Sequence, residues 1–231
     1  MTLVLLPGMD GTGQLFAPFV AALGPEFSVQ VVAYPTTAPL GYHELESIAR
    51  AALPTEGPYV ILGESFSGPI AVSLAASGSP GLKGLVLCCS FVRNPRPVFS
   101  GLRSLVAVLP LALAPVSLLG RLLLGRFSTS ALEAALAKSL SQVSPSAIRA
   151  RLQAVLSVNV SAKLSTVKVP VLYLRGSRDS VVPAGASVLV ANLCPGTRVV
   201  ELEAPHFLLQ AVPTKAAQAV GAFVREVQNA L

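Results

Sequence analysis

Charge is scarce in this 231-residue chain: Asp, Glu, Lys and Arg make up 12%, about half the usual share, while 52% is hydrophobic. There are only two aspartates, Asp10 and Asp179, and only two histidines, His43 and His206, so any acid–base chemistry that needs them has few candidates. Three cysteines, two of them adjacent (Cys88, Cys89), offer neither a disulfide framework nor metal-ligand spacing. With two histidines besides, a multi-ligand transition-metal site is not expected, and no cofactor motif is present. There is no tryptophan and there are only four tyrosines, with no basic stretch that interleaves aromatics, which argues against nucleic acid as a partner. MTLVLLPGMDG lacks a basic n-region, and its apolar run is shorter than the roughly 7–15 residues of a signal peptide, so it is expected to be a strand of a cytoplasmic protein with free thiols.

What is present is an alternation. TLVLL (2–6), FSVQVVAY (27–34), YVILGE (59–64), LKGLVLCC (82–89), VPVLYLRG (169–176) and TRVVELE (197–203) are apolar runs without polar alternation, and helical spacing separates them. Such strands form a parallel sheet covered on both faces, so the expected fold is α/β, with about six mostly parallel strands. GYHELESIARAAL (41–53) shows the helical face, with Leu45, Ile48, Ala49 and Ala52 on one side and His43 among the solvated glutamates. The stretch from Phe207 to the end reads as one helix.

Residues 91–168 break the rhythm. No strand pattern appears there, and the prolines at 95, 97, 110, 115 and 145 mark helix boundaries. The expected organisation is a core of residues 1–90 and 169–231 with a helical cap, 91–168, inserted between its halves. The net charge of +6 belongs to that insert, which holds ten Lys and Arg against the single acid Glu133. Within it, SLVAVLPLALAPVSLLG (104–120) falls short of the ~20 residues of a membrane span and carries two prolines, so it is expected to line a lid.

Chemistry gathers at strand ends. GESFSG (63–68) puts Ser65 where a strand stops and a helix begins, in the form of a nucleophile elbow. The small residue two before Ser65 is Gly63. The one two after is Ser67, followed by Gly68, so the literal G-x-S-x-G pattern is not met. A small-residue turn that merely packs helix on sheet is the bland alternative. Asp179, in RGSRDSVVP, follows the next-to-last strand; alone it reads as a loop aspartate capping a helix. His206, in ELEAPHFLLQ, follows the last. The order serine, aspartate, histidine at successive ends of one sheet edge is that of a triad mounted on such a sheet. LLPGMDGTG (5–13) opens a glycine-rich loop after the first strand whose spacing fits no phosphate loop. It could turn the Met9 N–H, together with that of Phe66 after the serine, towards an oxyanion. One such donor is worth about 2.7–4 kcal/mol in the transition state. Glu64, next to the nucleophile, could tune His206, but it is expected to be a strand-end carboxylate paired with a nearby base.

These four motifs resemble those of α/β-hydrolase-fold serine hydrolases over nearly the whole chain. The P-G-x-D-G-T-G loop is similar to that of a subgroup of esterases and acyltransferases. Where family members often have His-Gly, this chain has Pro7-Gly8, and Met1 almost abuts a strand that two others usually precede. The resemblance implies catalysis by Ser65, Asp179 and His206, with Met9 and Phe66 as oxyanion donors and no cofactor or metal. The expected substrate is a small apolar ester of short or medium acyl chain. Three alternatives stay open: a carrier-linked methyl esterase whose basic cap docks an acidic carrier protein, an acyltransferase, and a non-catalytic lipid-binding protein resting on an anionic membrane. An aspartate nucleophile, which haloalkane chemistry needs, is not there.

Overall fold

Six short apolar runs lie side by side, all parallel, in the computed structural model, which describes residues 1–102 and 116–230. They are β1 (Thr2–Leu6), β2 (Ser28–Val31), β3 (Tyr59–Glu64), β4 (Leu82–Cys88), β5 (Val171–Gly176) and β6 (Arg198–Leu202), in the order β2-β1-β3-β4-β5-β6. Successive side chains point to opposite faces, which explains why the runs show no polar alternation. Leu3, Leu5, Val60 and Leu62 enter one apolar layer. Val4, Leu6, Tyr59 and Ile61 enter the other.

Helices close both layers. On the first face lie α1 (Ala17–Leu23) and the C-terminal helix. On the second lie α2 (Tyr42–Ala51) and α3 (Gly68–Ala76). Leu45 and Ala49 of α2 are fully buried, whereas His43 is exposed, as the helical spacing implies. Burying each such leucine or phenylalanine contributes about 1.5–3 kcal/mol, so the two layers are the main source of stability.

Between β4 and β5 the regular elements of the described residues are helices. After a 3₁₀ turn at Pro97–Leu102 come α4 (Val116–Leu124), α5 (Ser130–Ser141), α6 (Pro145–Ser157) and α7 (Ser161–Leu164). Thr129 and Ser144 cap α5 and α6 by accepting the N–H groups of Leu132 and Ala147, and Pro145 opens α6, where a missing N–H is harmless. Extended pairing among the described residues of this segment is limited to an isolated bridge between Arg93 and Asn159. Most of the apolar run 104–120 lies outside the described residues. Its end, from Val116, enters α4.

Beyond β5 come α8 (Gly185–Leu193), and after β6 α9 (Leu208–Ala211) and α10 (Pro213–Asn229). The single C-terminal helix expected from the sequence is thus two, because Pro213 has no N–H to continue the first. The second strand is also shorter than its apolar run. The Val32 N–H still bonds to the Leu5 carbonyl of β1 at 2.9 Å; past it the chain leaves the sheet edge, and the Tyr34 N–H bonds to the Gly11 carbonyl at 2.7 Å. That departure places Tyr34 under the loop that follows β1. No helix among the described residues is long and apolar enough to cross a membrane.

Candidate active site

Ser65 follows β3 in the left-handed region, with φ 47°, a conformation unusual for a residue with a side chain. The neighbours make it possible. A Cβ on Gly63 would sit 2.7 Å from the Ala71 methyl and 2.8 Å from the Ser67 carbonyl oxygen, and one on Gly68 only 1.7 Å from Ser90 Oγ. Ser90 Oγ in turn donates to the Ser65 carbonyl at 2.6 Å, tying down the strained residue. Ser67 is more than a small residue: its hydroxyl bonds the Pro7 carbonyl and lies 2.9 Å from the Tyr34 hydroxyl. The departure from G-x-S-x-G thus joins the turn to the loop after β1.

Ser65 Oγ lies 2.8 Å from His206 Nε2, and His206 Nδ1 lies 2.9 Å from Asp179 Oδ2. The imidazole and the carboxylate are almost wholly buried. Asp179 also performs the bland role its sequence context suggests, since Oδ1 accepts the N–H groups of Val181 and Val182 at 2.9 Å each. One oxygen orders its own loop while the other holds the ring, so the imidazole is oriented from a rigid base. Such a chain can take a proton from the serine and share the resulting positive charge with the carboxylate. The sheet brings together these three residues, from positions 65, 179 and 206, at the C-terminal ends of β3, β5 and β6.

The loop after β1 lies against them. Met9 borders the same cavity as Ser65, and Phe66, wholly buried, stacks on Tyr42 with ring centroids 4.7 Å apart. Two contacts from the β4–β5 segment, not evident in the sequence, order this loop. Arg151 of α6, with no exposed surface, donates through Nη1 to the Met9 and Asp10 carbonyls (2.7 and 2.9 Å) and through Nη2 to the Pro35 carbonyl (2.8 Å). Burial lowers its pKa while Asp10 opposes the shift. Ser139 of α5 donates to Asp10 Oδ2 at 2.8 Å, the same oxygen that accepts the Thr12 N–H and hydroxyl. Gly11, at φ 73°, leaves room for the guanidinium: a Cβ there would lie 2.6 Å from Arg151 Nη1. The helix holds two arginines, Arg149 and Arg151, and nothing in the local sequence marks the second as the buried one.

A cavity of about 280 Å³ opens over Ser65. Leu136, Leu140, Ile148 and Leu152 from α5 and α6 form much of its wall, and Leu119, Leu122 and Leu123 of α4 line it too. Its polar floor is Asp10, Glu64, Ser65 and His206. Contrary to the expectation, Glu64 forms no ion pair with a base among the described residues. Its Oε1 accepts from Gln210 Nε2 at 2.9 Å. Burial, opposed chiefly by that hydrogen bond, pushes the Glu64 carboxyl up to about 7.

Cys89 Sγ, an Asp179 oxygen and a His206 nitrogen lie within 4.8 Å of one another, a metal-capable trio among the described residues. The imidazole and the carboxylate already spend facing atoms on their mutual hydrogen bond. Cys88 and Cys89 are buried and Cys194 half-buried, all as free thiols.

The profile of the serine aminopeptidase, S33, family matches residues 42–206. Among solved structures, similarity extends over nearly the whole chain. An enol-lactonase from Burkholderia xenovorans LB400 has a TM-score of 0.76 at 19% identity, covering 97% of this chain and 91% of its own. An esterase from Rhodococcus sp. ECU1013 has 0.75 at 21%, covering 98% and 91%. A lipase-esterase related protein from Clostridium acetobutylicum ATCC 824 has 0.77 at 14%, covering 96% and 93%. A curated relative, phytyl ester synthase 1 of the Arabidopsis thaliana chloroplast, is 35% identical over 81 residues, which are 32% of this chain and only 12% of that protein.

Proposed function

The chain belongs to the serine aminopeptidase, S33, family of α/β hydrolases, and on that premise we propose that it is a serine carboxylesterase for apolar esters of short to medium acyl chain. The observation that carries this reading is the hydrogen-bonded run Ser65–His206–Asp179 at the floor of a leucine-walled cavity. Ser65 Oγ attacks the ester carbonyl as His206 Nε2 takes its proton. Asp179 holds Nδ1–H and stabilises the imidazolium. The N–H groups of Met9 and Phe66 receive the oxyanion. The imidazolium then returns its proton to the departing alkoxide, and water, activated by His206, releases the acid. No step calls for a metal or a cofactor.

The helices between β4 and β5 act as a cap that supplies the acyl pocket. At about 280 Å³ the cavity lies near the lower edge of the ~300–1,000 Å³ usual for ligand sites, which favours short and medium chains. Asp10 is committed to Thr12 and Ser139, so nothing in the wall asks for a polar acyl group. Several basic residues of the insert are already engaged by other groups of the chain. Arg151 is buried, Arg96 donates to the Ser180 and Val181 carbonyls, and Arg126 pairs with Glu203. That weakens the docking of an acidic carrier as the main reading. We place the enzyme in the cytoplasm on the strength of its free thiols.

A second reading is acyl transfer. It is favoured by the name of the chloroplast relative, an ester synthase, and by a pocket wall that welcomes an apolar alcohol as readily as an acyl chain. Hydrolysis of a p-nitrophenyl ester series by the parent and by Ser65→Ala tests the main reading. Activity that peaks at short or medium chains and disappears in the variant supports it; undiminished turnover by Ser65→Ala refutes it. Adding a medium-chain alcohol to the same assay and analysing products separates transfer from hydrolysis.

A further inference from the structure

Glu64 is a buried carboxyl that the mechanism above does not use, yet it touches three parts of the site at once. It immediately precedes Ser65 on β3. Its Oε1 accepts from Gln210, in the α9 turn four residues after His206. Its other oxygen faces Gly8, whose Cβ position lies 3.6 Å from Oε2 and whose backbone N–H stabilises the charged form. Gly8 is the residue before Met9. Four titratable groups face it. Asp10 from the loop after β1 opposes its ionisation, and His206 from the loop after β6 favours it. Cys88 and Cys89 at the end of β4 sense its charge in turn.

We propose that Glu64 is a positioning residue for the reaction: as a carboxylate it holds the Gly8 end of the oxyanion loop and the α9 turn around Ser65, and its charge favours the imidazolium that forms on His206. This rests on the esterase reading above. The neutral form loses the charge and loosens the Gly8 contact. Gln210 can serve either form: its Nε2–H donates to the carboxylate, while its buried Oε1, without a partner among the described residues, can accept from the carboxylic acid after the amide turns over. A carboxyl pushed up to about 7 changes form within the working range of a histidine base.

The test compares the parent with Glu64→Gln in a profile of kcat and KM against pH, from about 5 to about 9, on one p-nitrophenyl ester. Glutamine keeps the shape of the neutral acid, a form the fold already accepts. On the alkaline plateau kcat is expected to fall by roughly 10- to 100-fold with KM little changed. The deficit shrinks as pH falls below about 7, where the parent's own Glu64 loses its charge. A deficit of the same size at every pH, or none at all, overturns the proposal. The parent alone provides a second reading even if the variant does not fold. Its kcat/KM must fall with acid through two ionisations rather than one, and a single ionisation contradicts the role. Loss of all activity in Ser65→Ala with an unaltered profile in Glu64→Gln would sink this proposal alone. Activity retained in Ser65→Ala would sink the esterase reading beneath it.

Discussion

Arg151 Nη1 donates to the Met9 carbonyl at 2.7 Å across 142 positions of sequence, so a helix of the β4–β5 insert helps to shape the loop beside Ser65. The helices between β4 and β5 are therefore tied to that loop. Removing the guanidinium leaves the Met9, Asp10 and Pro35 carbonyls without their shared donor in a dry place. Arg151→Ala is expected to lose about 2–4 kcal/mol of stability and most of kcat. Free guanidinium should restore part of the activity but hardly any in the parent, which kinetics with added guanidinium chloride below denaturing concentrations will show.

Steric room at the serine turn supports a second expectation. Gly68→Ala drives a methyl into Ser90 Oγ and should cost about 2 kcal/mol or more, with activity falling as the Ser90–Ser65 bond breaks. Adding Ser90→Gly makes space and should return stability, measured by thermal unfolding. At Gly63 the obstacle includes the Ser67 carbonyl, part of the backbone, so no second substitution should rescue Gly63→Ala.

Glu64 also predicts a dependence of stability on pH. Its carboxyl stands at about 7 in the fold against an ordinary 4.5, so between these values the native state holds a proton that the unfolded chain releases. Stability is therefore present in full below the ordinary value and is lost as pH rises to the folded one, by about 3 kcal/mol for this group. Glu64→Gln should unfold at a higher temperature than the parent at alkaline pH and at much the same temperature in mild acid. A variant less stable than the parent at alkaline pH would contradict this. Higher stability with lower activity would mark the carboxylate as kept for function.

The fold was largely legible because parallel strands buried on both faces leave continuous apolar runs, and each run became a strand. Strand and helix ends were less so. The second strand stops early because Tyr34 is called to Gly11, and the last helix breaks at Pro213. Ser65, Asp179 and His206 could be named because the chain has only two aspartates and two histidines, and because GESFSG places a serine where a strand stops and a helix begins. Arg151, Ser139 and the double use of Ser67 could not be. Their partners are carbonyls or side chains some 30 to 140 positions away, and no local pattern records such contacts.

Pocket shape sets chain length in this account. Leu140 lies on the cap side of the cavity, so Leu140→Phe should shift the best p-nitrophenyl ester to shorter chains, and Leu140→Ala to longer ones. One methylene is worth about 1–3 kcal/mol of discrimination in such a pocket, so the shift should be plain in kcat/KM. An unchanged optimum in both variants would place the acyl chain elsewhere.

The most direct measurement is covalent trapping. After reaction with a p-nitrophenyl alkylphosphonate, which mimics the acyl-transfer transition state and stays attached, the protein should gain one phosphonyl group. Peptide mass spectrometry should find it on Ser65, and Ser65→Ala should gain none. An adduct on any other residue, or full ester turnover with Ser65 unmodified, would contradict the claim that this hydroxyl is the nucleophile.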